Sequence, residues 1–212
     1  MYKLGYDLPN PSFFIFYFSN SSKSSMAKER SIIISPNSQV VTTIFDILTG
    51  TTTADEGEFK FGVTVNATYL PQDHKRFFSD KNMSLVDWLR PYSVDKTDSS
   101  IRGWLGRMLF SGEEALKNVD VLSGGEKVRV MMAKNMLTAG NVLIMDEPTN
   151  HLDLEAITAL NKGMINYKGV MLFTTHDHEL LSTVANRIIY IDDKTIIDRR
   201  TTYEDFLDEF GK

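Results

Sequence analysis

The 212-residue chain contains no cysteine, which excludes disulfide bonds and thiolate metal sites and is compatible with a reducing cytosol. Long hydrophobic runs are also missing. The longest, FFIFYF, has six residues, whereas a helix that spans a bilayer needs about 20. We therefore expect no membrane partner, no cleavable signal and a cytoplasmic location. The net charge is −5, which does not predict broad electrostatic attraction to nucleic acid.

Hydrophobic residues make up 42% of the chain, which is enough for one sizeable globular domain. The first third contains short runs of β-branched and aromatic residues separated by turn sequences, and these predict a small, partly antiparallel sheet. The runs are PSFFIFYF, RSIII and GEFKFGVTVNATYL. The segment from Leu85 to Met108 has helical spacing with a break at Pro91, and it indicates a helical lobe.

Three later apolar runs, NVLIMD, GVMLFTTHD and NRIIYIDD, are continuous rather than alternating, which is typical of strands covered on both faces in a parallel sheet. Helical patterns lie between them, as a βαβ fold requires. We therefore predict a single α/β domain with a β-rich part at 1–78, a helical lobe at 79–140 and a parallel-sheet part at 141–212. A last helix is expected to pack on the domain, with partner binding as the alternative; its apolar face carries Tyr203, Phe206, Leu207 and Phe210.

The stretch SIIISPNSQVVTTIFDIL has the layout of a phosphate-binding loop: a strand, a short polar loop and a helix expected to begin near Thr42. Such loops follow the pattern G-x-x-x-x-G-K-[ST], because glycine amides and one lysine surround the phosphates. In this chain only Thr42 and Thr43 fit that pattern. The positions of three glycines and the lysine are taken by Ser35, Ser38, Val40 and Val41.

In the stretch NVLIMDEPTNHLD the apolar run NVLIM is followed by two acids, Asp146 and Glu147. They are expected at the carboxyl edge of the sheet, where ligands of such folds bind. In nucleotide-hydrolysing folds, an acid in the position of Asp146 helps to hold Mg²⁺, and one in the position of Glu147 orients or deprotonates a water. A bare acid pair is more often a solvated turn. The pair therefore needs support from the rest of the chain.

That support comes from three further signals, each weak when taken alone. The sequence LSGGEK begins a helix whose buried stripe is expected at Val128, Met131, Met132 and Met136. The hydroxyl of Ser123 and the amides of Gly124 and Gly125 would meet a phosphate at the positive end of that helix. His176 ends another apolar run, and Gln72 follows an early β-segment.

The order Gln72, LSGGEK, VLIMDEPTNHLD and His176 resembles the Q-loop, signature, Walker B, D-loop and H-loop of an ATP-binding cassette. The segments LSGGEK and DEPTNHLD resemble those of the ABC-F subfamily, whose members are soluble proteins with two cassettes and no transmembrane domain. The stretch IRGWLGRMLFSGEEALKNVDVLSGGEK is similar to the second cassette of YkpA/YbiT-like members. The chain is therefore identified as an isolated second cassette with the P-loop NTPase fold, with an antiparallel β-subdomain and a helical signature lobe.

The resemblance implies ATP and Mg²⁺ as cofactors and a role for each matching residue. Glu147 and His176 would be catalytic, Tyr6 would stack on adenine, and Asp153 would belong to the D-loop. Magnesium would be held near Thr42, Gln72 and Asp146. The nucleotide would also contact the degenerate Walker A segment, which comprises Ser35, Asn37, Ser38, Gln39, Val40, Val41, Thr42 and Thr43. The signature residues would complete an ATP site on a partner cassette, and they are Ser123, Gly124, Gly125 and Glu126.

The partner implied by the resemblance is the first cassette of the same parent chain, or a second copy when the domain is isolated. Ribosome, rRNA and tRNA are implied as further partners, in translation or antibiotic resistance. Replacing the loop lysine by Val41 removes a charge-assisted contact worth about 1.5–3 kcal/mol, so weak binding and a collapsed loop both stay open. In the second case Val41 would pack beside Ile44, Ile47 and Leu48. A catalytically silent module is therefore one alternative, and a transporter ATPase subunit, which the TNHLD text disfavours, is another.

Overall fold

A computed structural model describes residues 29–73, 75–78, 82–150, 152–192 and 195–211. The strands are β1 (Arg30–Ile34), β2 (Ala67–Leu70), β3 (Val142–Asp146), β4 (Val170–Thr174), β5 (Arg187–Ile191) and β6 (Ile196–Arg199). The α-helices are α1 (Ser38–Leu48), α2 (Leu85–Leu89), α3 (Asp98–Arg107), α4 (Gly124–Leu137), α5 (Leu154–Asn166), α6 (His178–Val184) and α7 (Tyr203–Phe210). Short 3₁₀ helices lie at Lys75–Phe78, Arg90–Tyr92, Gly112–Leu116 and Val119–Val121.

The six strands form one sheet in the order β2-β3-β4-β1-β5-β6. All neighbouring pairs are parallel except β5 and β6. The three continuous apolar runs form β3, β4 and β5, which confirms the predicted mostly parallel α/β fold. The carboxyl ends of the first three strands in this order lie side by side, because Leu70 pairs with Met145 and Asp146 pairs with Thr174.

The antiparallel sheet expected in the first third is wrong for the part of that region that the structure describes. Both β1 and β2 pair in parallel with strands from later in the chain. Residues 49–66 between α1 and β2 contain no strand and are mostly exposed. Local β-propensity favours extended backbone but does not choose a partner strand, so the sequence runs could not reveal this pairing. The run PSFFIFYF lies outside the described residues.

Side chains alternate between two hydrophobic clusters on the two faces of the sheet. Along β3, Val142 and Ile144 belong to the cluster beneath α1, whereas Leu143 and Met145 belong to the larger cluster that includes the helical lobe. All five residues of β3 are buried, as expected for a strand covered on both faces. This explains why its sequence is continuously apolar.

The helical lobe is formed by α2, α3 and α4 on the larger cluster. One of its aromatic contacts is a stack of Phe78 on Trp88, with ring centroids 5.0 Å apart. Of the predicted stripe on α4, three residues are buried and Met136 is partly buried, which confirms the orientation of this helix. The helix therefore presents its first turn away from the core, where Ser123 and Gly124 are exposed.

The C-terminal helix α7 packs on the domain, as predicted. Phe206 is buried, and its ring lies 6.4 Å from that of Tyr190 and 5.0 Å from that of Phe210. Leu207 remains 40% exposed. Among the described residues, no helix is both long and apolar enough to cross a bilayer.

At its amino edge the sheet is tied together by Asn141. The side chain of Asn141 accepts from the amide of Asn66 at 2.8 Å and donates to the carbonyl of Thr64 at 2.7 Å. Its carbonyl accepts from the amide of Val170 at 2.9 Å. The preceding Gly140 is required by close packing, because an added Cβ would lie 2.7 Å from Cγ2 of Thr68. One residue thus links the starts of β2, β3 and β4.

Candidate functional site

The loop between β1 and α1 is shorter than a phosphate-binding loop, because α1 begins at Ser38 rather than near Thr42 as expected. Asn37 caps the helix: its Oδ1 accepts from the amide of Gln39 and its carbonyl accepts from the amide of Val40, both at 3.1 Å. The amide of Asn37 donates to Oγ of Ser35 at 3.2 Å. Side chains at these positions favour helical backbone over the left-handed conformations that glycine permits. Two amides of the first helical turn are therefore satisfied within the chain.

Val41, which stands in the lysine position, points into the core. It is 2% exposed and packs in the same cluster as Phe45 and Leu48, with Ile44 partly buried against that cluster. The predicted packing of Val41 is confirmed for these neighbours, whereas Ile47 is not part of the cluster. The helix therefore gains an apolar contact where a phosphate loop would place a cation.

Thr42 and Asp146 are brought together at the carboxyl edge of the sheet. Oγ1 of Thr42 donates to Oδ2 of Asp146 at 2.7 Å. Asp146 is 3% exposed, and burial raises the pKa of its carboxyl, although the hydroxyl of Thr42 opposes this shift. The pair offers oxygen ligands of the kind that Mg²⁺ prefers. Thr43 points elsewhere, because its hydroxyl donates to the carbonyl of Gln39 at 2.8 Å.

Glu147 and His176 also meet at this edge. Nε2 of His176 lies 3.3 Å from Oε1 of Glu147, and the histidine side chain is 82% exposed while the glutamate is buried. The other carboxylate oxygen, Oε2 of Glu147, is buried without a hydrogen-bond partner. Burial raises the pKa of Glu147, while the charge of His176 lowers it. An unpaired buried oxygen is costly unless a water or ligand reaches it.

The backbone at Glu147 is strained. Its φ is +48°, a left-handed conformation that costs a residue with a side chain about 1–3 kcal/mol. Hydrogen bonds hold it there: its amide donates to the carbonyl of Thr174 and its carbonyl accepts from the amide of Asn150, each at 3.2 Å. The neighbouring turn is tied by the hydroxyls of Thr149 and Thr175, which lie 3.1 Å apart. This hydroxyl pair was not among the predicted site residues, although it lies within the matched motifs.

The two other residues predicted for the nucleotide site, Gln72 and Tyr6, are not seen in contact with these pairs. Gln72 is exposed and follows β2, so it lies on the same edge of the sheet, two residues after Leu70. The structure shows no contact between it and Asp146 or Glu147. Tyr6 lies outside the described residues.

The signature turn is a capping box at the start of α4. Oγ of Ser123 accepts from the amide of Glu126 at 3.2 Å, and Oε2 of Glu126 accepts from the amide of Ser123 at 2.8 Å. Oε1 of Glu126 pairs with Nζ of Lys117 at 2.9 Å. Burial acts to raise the pKa of Glu126, but hydrogen bonds from Ser123 and Lys117 together lower it below its usual value. The carboxylate of Glu126 therefore bonds within the turn and to Lys117. The positive end of the helix at Gly124 and Gly125 is left for an anion.

A cavity of about 360 Å³ joins the signature turn to the segment before α5; its lining residues are Ser123, Gly124, Gly125, Glu126, Arg129, Leu152, Asp153 and Ala156. The structure thus brings the predicted signature residues together with the predicted D-loop residue. Asp153 caps α5, since its Oδ1 accepts from the amide of Ala156 at 2.8 Å. Arg129 was not predicted as a site residue. The sequence signal that could have revealed it is a charged residue placed directly after Val128 in the apolar stripe of α4.

No cluster of three or more histidine or acidic side chains that could hold a metal is formed within the part of the chain that the structure describes. A magnesium ion at Thr42 and Asp146 would therefore have few protein ligands. This is usual for Mg²⁺, which keeps several waters and takes oxygens from bound phosphates.

The family profile described as "ABC transporter" matches residues 20–150, more than half of the chain. The Bacillus subtilis (strain 168) protein described as "Uncharacterized ABC transporter ATP-binding protein YkpA" is 56% identical over 173 residues, which cover 81% of this chain and 32% of the relative. The energy-dependent translational throttle protein EttA of Escherichia coli (strain K12) is 30% identical over 180 residues, covering 82% of this chain and 32% of EttA. The chain spans about a third of the length of these curated relatives.

Among solved structures, the RNase-L Inhibitor is similar with a TM-score of 0.67 and 22% identity, covering 87% of this chain and 38% of that chain. This likeness supports the fold alone. The profile match extends through the strained turn at Glu147, and it includes the loop before α1 and the signature turn. The chain therefore belongs to the ABC transporter family, as an ATP-binding cassette domain of that family.

Proposed function

We propose that this chain is one cassette of an ABC-F-type protein, the second along its parent chain, and that it binds ATP together with another cassette. The observation that carries the proposal is the joint placement of two side-chain pairs at one sheet edge. Thr42 contacts Asp146 at 2.7 Å, and Glu147 contacts His176 at 3.3 Å. Ligands of open α/β sheets bind at this edge.

The donor set fits a magnesium ion. The hydroxyl of Thr42 and the carboxylate of Asp146 would hold it through oxygen, and Gln72 would approach from the neighbouring strand. Bound Mg²⁺ supplies positive charge that neutralises phosphate oxygens. Burial raises the pKa of Asp146, so a cation beside it would also relieve the cost of its ionised form.

The amides and side chains that would bind the phosphates fit less well. The amides of Gln39 and Val40 already have acceptors in Asn37, and Val41 supplies no charge. A lost charge-assisted contact of about 1.5–3 kcal/mol corresponds to a roughly ten- to hundredfold weaker affinity. We therefore propose that this cassette binds Mg-ATP weakly in its own site.

The signature turn is proposed to act on a different nucleotide. In paired cassettes the resemblance places each ATP between the Walker segments of one cassette and the signature of the other. Ser123, Gly124 and Gly125 would then complete a site whose phosphate loop belongs to the partner. The cavity between this turn and Asp153 provides room for that contact. One strong and one weak site would result.

Within its own site, Glu147 is proposed to orient the attacking water. Oε2 of Glu147 is buried without a partner, so it has an unused acceptor position for a water proton. The contact with His176 fixes the other oxygen of the carboxylate. A positioned base of this kind contributes about 10²–10⁴-fold to a rate.

The decisive experiment is a calorimetric titration of this chain with Mg-ATP. We expect an affinity roughly ten- to hundredfold below that of a cassette with an intact phosphate loop, and a further loss in Asp146→Ala. Asp208→Ala is the matched control, because it removes a carboxylate from an exposed position on α7, outside the proposed site. Equal binding by Asp146→Ala and the control would refute the proposed magnesium site.

A second candidate function is a catalytically silent cassette that contributes only its signature turn. The early start of α1 at Ser38 favours it, because that turn fills the space of a phosphate loop. The two candidates differ in a protein that joins this chain to a second cassette. If Glu147→Gln leaves ATP turnover and ATP retention unchanged there, this cassette is silent; if the variant retains ATP, its own site hydrolyses.

A role on the ribosome is proposed from the relatives. EttA is named as a translational throttle protein, and a solved structure with 22% identity is titled as a complex of a ribosomal stalk protein with the recycling factor aABCE1. Co-sedimentation of the parent protein with ribosomes in the presence of ATP would support this role. Purification with a membrane protein instead would favour the transporter subunit.

A further inference from the structure

Helix α3 presents a strip of small residues on the side opposite to its buried side. Successive residues of an α-helix are rotated by about 100°, so Ser99, Gly103 and Gly106 lie on one side of α3. The buried residues Ile101 and Leu105 lie on the other side. All three residues of the strip are exposed. The α3 strip therefore faces solvent.

The fold does not require glycine at either position of this strip. A Cβ added to Gly103 or Gly106 would meet nothing within 4 Å, and neither residue has a positive φ. Glycine inside a helix is less favourable than alanine, so each glycine weakens α3 without relieving a contact in this domain. What the two glycines provide is a helix surface that a bulky partner can approach closely.

Two arginines border the α3 strip, one on each side. Arg102 and Arg107 are exposed, and they lie about 140° apart around the helix with the strip between them. Neither forms an ion pair within the part of the chain that the structure describes. Asp98, one turn before Arg102, pairs instead with Arg90 at 2.8 Å. Both cations therefore keep their charge for a partner outside the domain.

Arg107 is held in place by an aromatic ring and not by a carboxylate. The carbon at the centre of its guanidinium lies 4.3 Å from the ring centroid of Trp104. Such stacking uses the flat face of the guanidinium and leaves the N–H donors at its edge for another acceptor. Because the side chain is already ordered, less entropy is lost when a partner binds it.

The chemistry of this surface favours a polyanion over a protein partner. Protein interfaces are built around buried aromatic or aliphatic anchors, whereas none of the exposed large hydrophobic side chains among the described residues belongs to α3. The N–H donors of arginine match phosphate oxygens. Arg102 and Arg107 are about 7.5 Å apart along the helix axis, so both can contact the backbone of one RNA helix, whose minor groove is wide and shallow.

We propose that the α3 strip, together with Arg102 and Arg107, is a docking surface for the phosphate backbone of double-stranded RNA. The contact does not depend on the RNA sequence, because it is made to phosphates. This inference rests on the proposed role on the ribosome and adds the surface that would meet RNA there. The net charge of the chain is −5, so the attraction comes from this local pair of cations and not from the domain as a whole.

The test measures binding of this chain to a fluorescently labelled RNA duplex of about 16 base pairs by anisotropy at about 50 mM salt. Arg102→Gln and Arg107→Gln should each weaken binding about two- to fivefold, as expected for exposed charge pairs. Each should also lower the slope of log affinity against log salt by about one. Arg199→Gln is the matched control, because it removes the same charge from an exposed position on β6, and it should leave the affinity nearly unchanged.

Gly106→Gln separates docking from folding. The added side chain enters open space and replaces a glycine within a helix, so the urea midpoint should rise. RNA binding should nevertheless weaken, because the side chain covers the strip. The proposal is overturned if the wild type does not bind the duplex, if both arginine variants bind like the control, or if Gly106→Gln binds like the wild type.

A peptide of consecutive glutamates tests the alternative of an acidic protein partner. If it binds at least as tightly as the RNA and with the same dependence on Arg102 and Arg107, the surface serves a protein and the RNA proposal is wrong. The ribosomal role is tested separately by co-sedimentation of the parent protein. If that fails while RNA binding by this chain still depends on both arginines, the ribosomal role is refuted and the docking surface is retained.

Discussion

Restoring the missing loop lysine by Val41→Lys is expected to destabilise the fold instead of rebuilding the phosphate site. Val41 is 2% exposed and packs with Phe45 and Leu48. A lysine at this position has to fit a longer chain into a filled cluster, which costs about 1–3 kcal/mol. Its ammonium either stays buried without a partner or displaces the first turn of α1 to reach water.

We expect the free energy of unfolding to fall by about 3 kcal/mol in total, the sum of overpacking and partial desolvation. For a domain of this size, such a loss lowers Tm by roughly 6–12 °C. Mg-ATP affinity should rise less than tenfold, because the amides of Gln39 and Val40 remain bonded to Asn37.

The assay pairs urea denaturation with Mg-ATP titration. Gln39→Lys is the control for stability alone, because Gln39 is exposed on the same helix. The control should keep the wild-type urea midpoint. A Val41→Lys protein with wild-type stability and at least tenfold tighter Mg-ATP binding would refute this reasoning. Such a result would mean that the loop before α1 rearranges without significant cost.

Three further predictions concern other parts of the chain. Ser123→Ala should lower the unfolding free energy by about 1 kcal/mol because it removes the cap of α4, and Ser123→Thr should keep most of it in thermal denaturation. Phe206→Ala should cost about 3–5 kcal/mol and expose α7 to limited proteolysis, whereas Leu207→Ala, at a 40% exposed position, should not. Hydrogen bonds from Arg187 lower the pKa of Asp198, so this carboxylate stabilises the fold above its unfolded pKa of about 3.9. Asp198→Asn should therefore be less stable than the wild type at pH 6, and the difference in urea midpoint should shrink as the pH falls below about 4.

Much of the parallel sheet could be predicted from the sequence, because strands that are buried on both faces leave a continuous apolar run. The runs that became β3, β4 and β5 have this pattern, with Ile144 and Leu172 as examples of residues 0–1% exposed. The short edge strand β6 was not predicted. Its pattern is weak because three of its four residues, including Ile196, are exposed.

The resemblance placed Thr42, Gln72, Asp146, Glu147 and His176 at one edge of the sheet. Thr42 contacts Asp146 and Glu147 contacts His176 there, whereas Gln72 contacts neither acid. The start of α1 was predicted wrongly. Ser38 and Val40 stand where a phosphate-binding loop has glycine, and because they carry side chains they adopt helical backbone. Neither the strain at Glu147 nor the unpaired donor of Arg129 has a sequence signal. Both depend on how distant segments pack, which local patterns do not encode.

Asn141 confines where this domain is able to deform. Because it joins the starts of β2, β3 and β4 through both its side chain and its carbonyl, these strands cannot slide past one another at that end. Any adjustment to an arriving nucleotide must then be absorbed at the far ends of the strands. There α1 is joined to β3 by the hydroxyl of Thr42, and the exposed ring of His176 is joined to Glu147, so we expect these two side chains to adjust before the strands do.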